Sequence, residues 1–398
     1  MFARPPRVLR FGLFDARYSR NRTTAAAFSA AGAELRELRI PMLDDLSDRL
    51  QPSRDVGALA RLGIRLLRSE LRLALAAPRP LAWADAVLFG YPGQWDVAFW
   101  APLVRRAGCR IVFDPLVTLT ETFVEDRQLV APGSWRARWL RLLDRQALRA
   151  ADLILADTPQ QATYWAALAG VSLDRFVILP VGVDESLFGS HRCDAVGARD
   201  DAPERLRVLF YGTYSPLHGA ETIVDALHRL ERAGEPISLV MIGTGQLEPA
   251  VKGRAAALGL RAVEFVQWVP EAELAHWIAW ADVVLGIFGA TAKAARVVPN
   301  KVYQAMAMGA AIVTRDSPAI RWLAGGEEIA RLVPPADPDA LAEALRELRM
   351  PERRAALAAA ARARYEAVAS DRARASCLRP FLEDLSRVPS GRRRKANA

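Results

Sequence analysis

The chain has 398 residues, 52% of them hydrophobic, with 54 basic and 45 acidic side chains and a formal charge of +9. That length exceeds one ordinary core and suits two, and the balance excludes a disordered chain. Lysine stands only at positions 252, 293, 301 and 395, so the basicity is almost entirely arginine; it permits an anionic ligand or surface without proving either.

Taken in chain order, short apolar runs alternate with helical stretches, the pattern of βα units and parallel sheets. In the first half, strands are predicted at Val8–Phe14, Glu34–Ile40, Ala86–Gly90, Arg110–Asp114, Leu153–Ala156 and Phe176–Leu179. Pro180 to Asp184 and the polar stretch Gly189–Glu204 then read as hinge and linker. In the second half, strands are predicted at Leu206–Tyr211, Ile237–Ile242, Val263–Val266, Asp282–Ile287, Ala311–Thr314 and Ala330–Val333. An Ala- and Arg-rich helical tail closes the chain, ending in Arg392–Lys395. The fold class is therefore α/β, with two doubly wound parallel-sheet domains. The expected division is 1–183 for the first domain, 184–204 for the hinge and 205–370 for the second domain. Residues 371–386 then form a C-terminal helix able to cross back to the first, and 387–398 a basic tail.

Cys109, Cys193 and Cys377 are sparse and far apart, which argues against a disulfide framework. No His spacing suits a metal, so no metal or other cofactor is expected. Arg4, Arg7 and Arg10 interrupt the N-terminal apolar stretch, and no segment approaches the ~20 apolar residues of a membrane span. The expected location is the cytoplasm, at most at the inner face of the cytoplasmic membrane.

The second half carries the most specific signals. Leu209 to Gly219 runs from a strand through a loop holding Gly212, Thr213 and His218 into an amphipathic helix. Glycines there let backbone N–H groups approach a ligand, and a helix N-terminus favours an anion. A plain βα turn would show the same glycines. The next strand enters a second glycine turn, Gly243-Thr-Gly245, weak evidence by itself. After Val263–Val266 come Trp268 and Val269, placed either to meet a flat base or to pack. Lys293, Arg296 and Lys301 fall within nine residues, and Pro299 and Gly309 bracket a short helix on which Asn300 and Gln304 share a face. Three cations at a helix start suit a phosphorylated ligand, although a solvated basic surface has the same composition.

Taken together, GTYSPLHG, MIGTGQ, FVQWVPEAEL, ADVVLGIFG and VVPNKVYQAMAMGAAIVTRDSPA resemble, in that order, the donor domain of glycosyltransferase family 4. The likeness is close over Leu206–Pro335 and looser in the first half. It implies the GT-B fold, two Rossmann-like domains facing each other across a cleft. It implies a retaining, metal-independent transfer of sugar from a nucleoside diphosphate, with the leaving phosphate helping to take the acceptor proton. Lys293 and Lys301 would then neutralise the diphosphate, Gly212 and Thr213 would donate backbone hydrogen bonds, and Gln304 would hold the ribose. The donor site would also include His218, Gly219, Gly243, Gly245, Trp268, Val269, Arg296 and Asn300. Two positions depart from the family. A Glu-x7-Glu pair is replaced by Arg296 and Gln304, and His218 stands where a phosphate-binding lysine usually falls.

The acceptor, by the same resemblance, belongs to the first domain. Tyr18, Arg20 and Asn21 follow its first strand, and Asp114, Thr118 and Glu121 follow its fourth. Asp114 is the candidate to hold the acceptor hydroxyl, with Glu121 or Asp126 assisting, although each could equally be a turn or cap residue. The expected partners are a nucleotide-sugar donor and a glycan or lipid-linked acceptor. Arg54, Arg61, Arg65, Arg68 and Arg72 lie along one predicted helix, and Arg138, Arg141, Arg145 and Arg149 along another near Trp135 and Trp139. Both are compatible with peripheral contact on an anionic membrane, or with an ordinary solvated face. No nucleic-acid-binding module is recognisable, so none is expected as partner. The competing functional reading is a non-catalytic sugar-nucleotide-binding module that scaffolds a partner transferase. A GT-B epimerase would need cleft histidines and carboxylates, whereas His191, His228 and His276 look peripheral.

Overall fold

The computed structural model describes residues 4–41, 56–189 and 205–387. Arg54, His191, Cys193, most of the expected linker and the Arg392–Lys395 tail lie outside the described residues.

In chain order the first half runs β1 (Arg7–Gly12), α1 (Ser19–Ala30), β2 (Glu34–Arg39), α2 (Val56–Ala76), α3 (Pro78–Trp83), β3 (Ala86–Phe89), α4 (Gln94–Arg106), β4 (Arg110–Phe113), α5 (Trp135–Ala150), β5 (Leu153–Ala156), α6 (Pro159–Ala169) and β6 (Phe176–Ile178). The second runs β7 (Leu206–Tyr211), α7 (Ala220–Arg232), β8 (Ile237–Ile242), α8 (Glu248–Ala257), β9 (Val263–Val266), α9 (Glu271–Trp280), β10 (Val283–Leu285), α10 (Ala292–Arg296), α11 (Asn300–Met308), β11 (Ala311–Arg315), α12 (Pro318–Ala324), β12 (Arg331–Val333), α13 (Pro338–Glu347), α14 (Pro351–Val368) and α15 (Asp371–Arg387). Every predicted strand is present, its ends within two residues of the expectation. The apolar runs are the ones the sheets bury, as strands covered on both faces require.

The chain divides into two units. The first takes in the chain to Val124, Val130–Val181 and the chain from Asp371; the second takes in Glu125–Leu129 and Gly182–Ser370. The first sheet has the order β2-β1-β3-β4-β5-β6 and the second β12-β11-β10-β7-β8-β9, parallel throughout. Ligands of open α/β sheets bind at the strands' carboxyl ends where the order reverses. That point lies between β1 and β3 in the first unit and between β7 and β10 in the second.

In the first unit, α2, α4, α5 and α6 bury Leu73, Trp100, Leu148 and Trp165 in one cluster, while α1 and α15 cover the other sheet face with Phe28, Leu378 and Leu382. In the second unit, α7 and α13 contribute Ile223, Leu227, Leu341 and Leu345 to a core that includes Val208, Met241 and Leu285.

Candidate functional site

Strand β7 ends at Tyr211 and turns at Gly212, whose φ of 141° lies where L side chains are strained. Its N–H donates to the carbonyl of Ile242, closing the ladder to β8 at 3.0 Å. The backbone of Gly243 packs directly on that of Gly212, leaving no room for a side chain at 243. The loop continues through a 3-10 turn, Pro216–His218, to Gly219, a left-handed cap at the start of α7. The loop after β10 is zipped onto it, since Phe288 N–H donates to His218 O and Gly289 N–H to Leu217 O.

Two side chains converge on Gly212. A Cβ placed there would stand 3.2 Å from His218 Nε2 and 3.3 Å from Lys301 Nζ. Lys301 lies in the first turn of α11, which begins after Pro299 and ends at Gly309 in the left-handed conformation. Its ammonium is buried, has no hydrogen-bond partner and stands 3.9 Å over the Phe210 ring. Burial pushes its pKa well below the usual lysine value. His218 is held with Nδ1 3.1 Å from Ser215 Oγ. Burial first, then the neighbouring Lys301, keeps its imidazole neutral by lowering its pKa well below the usual value.

The other two cations expected on the diphosphate are already engaged. Lys293 Nζ lies 3.6 Å from Asp126 Oδ2, and Arg296 donates to Glu125 at 2.7 Å. Both carboxylates belong to the Glu125–Leu129 segment that groups with the second unit, and Asp126 also accepts from Leu217 N–H at 3.2 Å. The charge of Lys293, expected on the diphosphate, thus has a carboxylate partner within the protein. Gln304 is buried and its Oε1 accepts from Tyr211 OH at 3.0 Å, so the acceptor foreseen for a ribose hydroxyl already has a donor. Gly212 cannot give its N–H to a phosphate while the β8 bond stands. Asn300 is half-buried at the head of α11, and Thr213 and Gly245 are exposed at the same sheet edge. Val269 is half-buried, whereas Trp268 is 70% exposed, which suits a stacking surface better than internal packing. A hollow of about 510 Å³ in this unit opens at the opposite edge beside Asp282, Ala311 and Arg362, and Lys301 is not among its lining residues.

In the first unit most of the residues expected to meet an acceptor are enclosed. Arg20 and Asp114 are fully buried; Arg20 Nε donates to both Asp114 oxygens at 2.9 Å and Nη1 to Leu179 O at 2.8 Å. Thr24 Oγ1 donates to the same carboxylate at 2.6 Å. Glu121 is fully buried and accepts from Thr118 Oγ1, Gln161 Nε2 and Trp165 Nε1 at 2.7–2.8 Å. Asn21 bridges the loops after β1 and β3, donating to Asp15 O and Tyr91 O and accepting from Tyr91 N–H. The cavity left among Asn21, Thr24, Gly90 and Asp114 is about 10 Å³, room for one water. Tyr18, half-buried and 4.8 Å from the Tyr91 ring, is the accessible member of the set.

Residues 205–350, the segment holding this glycine turn and Lys301, match the family described as Glycosyl transferases group 1. A D-inositol 3-phosphate glycosyltransferase of Xylanimonas cellulosilytica is 29% identical over 364 residues, 84% of this chain and 79% of that protein. The similarity to the group 1 glycosyltransferases thus rests on the second unit, with the looser likeness of the longer relative extending into the first. A phosphatidyl-myo-inositol mannosyltransferase of Mycobacterium tuberculosis is 31% identical over 172 residues, 42% of each chain. The structure of Anabaena HepE in complex with UDP and glucose superposes with a TM-score of 0.65 at 15% identity, over 97% of this chain and all of that one. The two parallel six-stranded sheets thus have the GT-B fold. Relatives named as transferases favour an enzyme over a non-catalytic module.

Proposed function

We propose that this glycosyltransferase moves a sugar, with retention, from a nucleoside diphosphate to a hydroxyl of a glycan or lipid-linked acceptor, and that Lys301 receives the diphosphate. The observation that carries this reading is the buried ammonium of Lys301, without a hydrogen-bond partner, at the point between β7 and β10 where the strand order reverses. A desolvated cation is costly to keep unless an anion completes it. An anion seated there would favour the charged form of the lysine, which, at the leaving diphosphate, would stabilise charge as the glycosidic bond breaks. Neutral His218 adds a hydrogen-bonding edge without a second charge, and the start of α7 lies at the end of the same loop. The names of the relatives support the wider class: one acts on an inositol phosphate, another on a phosphatidylinositol, and HepE was solved with UDP.

The test is calorimetric titration of the protein and its Lys301→Met variant with UDP and GDP. Loss of a charged hydrogen bond of roughly 1.5–3 kcal/mol lowers affinity by about 10- to 150-fold. Proton uptake should accompany binding to the native protein, seen as a dependence of heat on buffer ionisation enthalpy, and vanish in the variant. Equal affinity of the two proteins would remove Lys301 from the site. The anomeric configuration of the product, read by proton NMR, tests retention.

A further inference from the structure

The helices on one face of the first sheet leave a second apolar surface uncovered. On α2 the inward side carries Leu66, Glu70, Leu73 and Ala77, while Leu67, Leu71 and Leu75 recur at helical spacing on the opposite side. On α4, Trp95, Phe99 and Leu103 form a stripe four residues apart, turned away from the buried Val97, Trp100 and Val104. On α5, Trp135, Trp139 and Leu142 do the same. All nine are between 39 and 77% exposed. The three helices bury their inner sides in a single cluster. Glu70 accepts from the Trp95 and Trp100 indoles, tying α2 to α4, and Arg105 donates to Ala150 O at the end of α5. A monomer seldom leaves so many large apolar side chains exposed on neighbouring helices without a use for them.

The charges around these stripes are of one sign. The three helices hold eleven arginines and three acids, and Glu70, Asp96 and Asp144 are all buried. The outward charge of this face is therefore arginine alone. On α2, Arg65, Arg68 and Arg72 border the leucine stripe along one side. A second copy of the chain would bring arginine against arginine, because a two-fold contact pairs a surface with itself. Among the described residues no helix is long and apolar enough to cross a membrane.

We infer that this face of α2, α4 and α5 docks on an anionic lipid bilayer, the leucines, phenylalanine and tryptophans entering the headgroup boundary and the arginines meeting lipid phosphates. The inference stands on the first unit alone and does not depend on the donor site proposed above, although a lipid-linked acceptor would be met on the same surface.

Co-sedimentation of the full chain with vesicles of phosphatidylcholine, alone or mixed with phosphatidylglycerol, tests it. The protein is expected to sediment with the mixed vesicles, weakly or not at all with the neutral ones, and less as salt is raised. Substituting Leu67→Ser, Leu71→Ser and Trp135→Ser together should lower partitioning at least about tenfold, with melting temperature and UDP binding unchanged because these side chains are exposed. Arg65→Glu with Arg68→Glu should lower it on the anionic vesicles by a similar factor. Brominated lipid should quench native tryptophan fluorescence, and less so in Trp135→Phe. Absence of sedimentation, or sedimentation untouched by the triple substitution, overturns the inference. So does a dimer in light scattering that the triple substitution dissolves, since the face would then belong to a second copy.

Discussion

At the carboxyl edge of the first sheet, Arg20 is fully enclosed and gives its guanidinium to Asp114 and to backbone carbonyls. At the same edge of the second sheet Lys301 is nearly as enclosed, yet its ammonium has an aromatic face and no carboxylate. Both units are parallel α/β sheets with a reversal of strand order, so architecture does not explain the contrast. It lies in the matching of buried charge. Where a buried carboxylate is hydrogen-bonded from within, as Asp114 is by Arg20 and Thr24 and Glu121 by Thr118, Gln161 and Trp165, the network orders the protein, and beside Asp114 it leaves about 10 Å³ of space. Where one cation is left over, as at Lys301, an anion is the ligand proposed to complete it. The same criterion separates Lys301 from Lys293 and Arg296, whose charges Asp126 and Glu125 already answer.

The sharpest way to break this comparison is to unbalance the first network. Arg20→Met leaves Asp114 buried without its partner and should cost about 3–5 kcal/mol in urea denaturation. A loss under about 1 kcal/mol would mean the pair is no structural anchor.

A second measurement concerns Asp96, which faces the turn after β1. Burial pushes its pKa up to about 8, against the hydrogen bond from Leu13 N–H and with help from Glu70. The folded state then holds a proton that the unfolded state releases near pH 4. Stability contributed by this group is present below that value and lost as pH rises towards 8, by up to a few kcal/mol. Asp96→Asn should flatten the decline between pH 5 and pH 8 in denaturation curves; an unchanged slope would place the titrating group elsewhere.

Lys301→Met should behave in the opposite sense to Arg20→Met, leaving unliganded stability unchanged or raising it by about 1 kcal/mol. The lysine's pKa is lowered on folding, so the unfolded chain binds the proton more tightly. The native protein therefore loses stability as pH falls from about 10, and the methionine variant's advantage should grow over that range. A variant destabilised like Arg20→Met would show that Lys301 is a structural residue. The smallest effect is expected at exposed Trp268. Trp268→Ala should shift stability by less than about 0.5 kcal/mol, while UDP affinity falls by up to tenfold if the indole stacks on the base.

Much of this was legible in the residues. Most of the strands follow from short apolar runs between turn formers, because a strand buried on both faces has few other compositions open to it, whereas the edge strand β2, Glu34–Arg39, is largely charged and only part-buried. Gly212 and Gly219 bracket one strand-to-helix loop and Gly309 marks a helix end, and the backbone there adopts the positive φ angles that glycine accommodates. The family's ordered motifs sit on those turns, so the residues alone already singled out that edge of the second sheet as the donor site proposed here.

What sequence could not decide is which polar residues remain available. Lys293, Arg296 and Lys301 look equivalent within nine residues, and only folding brings Glu125 and Asp126 to the first two from some 170 positions away. Asp114 looks like a loop carboxylate awaiting a substrate until Arg20, 94 residues earlier, is found against it. The sequence by itself determined the parallel sheets, the glycine turns and the arginine-rich helices, since propensity and periodicity are local properties. Tertiary structure alone decided which charges are answered and which apolar stripes stay uncovered, because pairing and burial depend on distances that no linear spacing encodes.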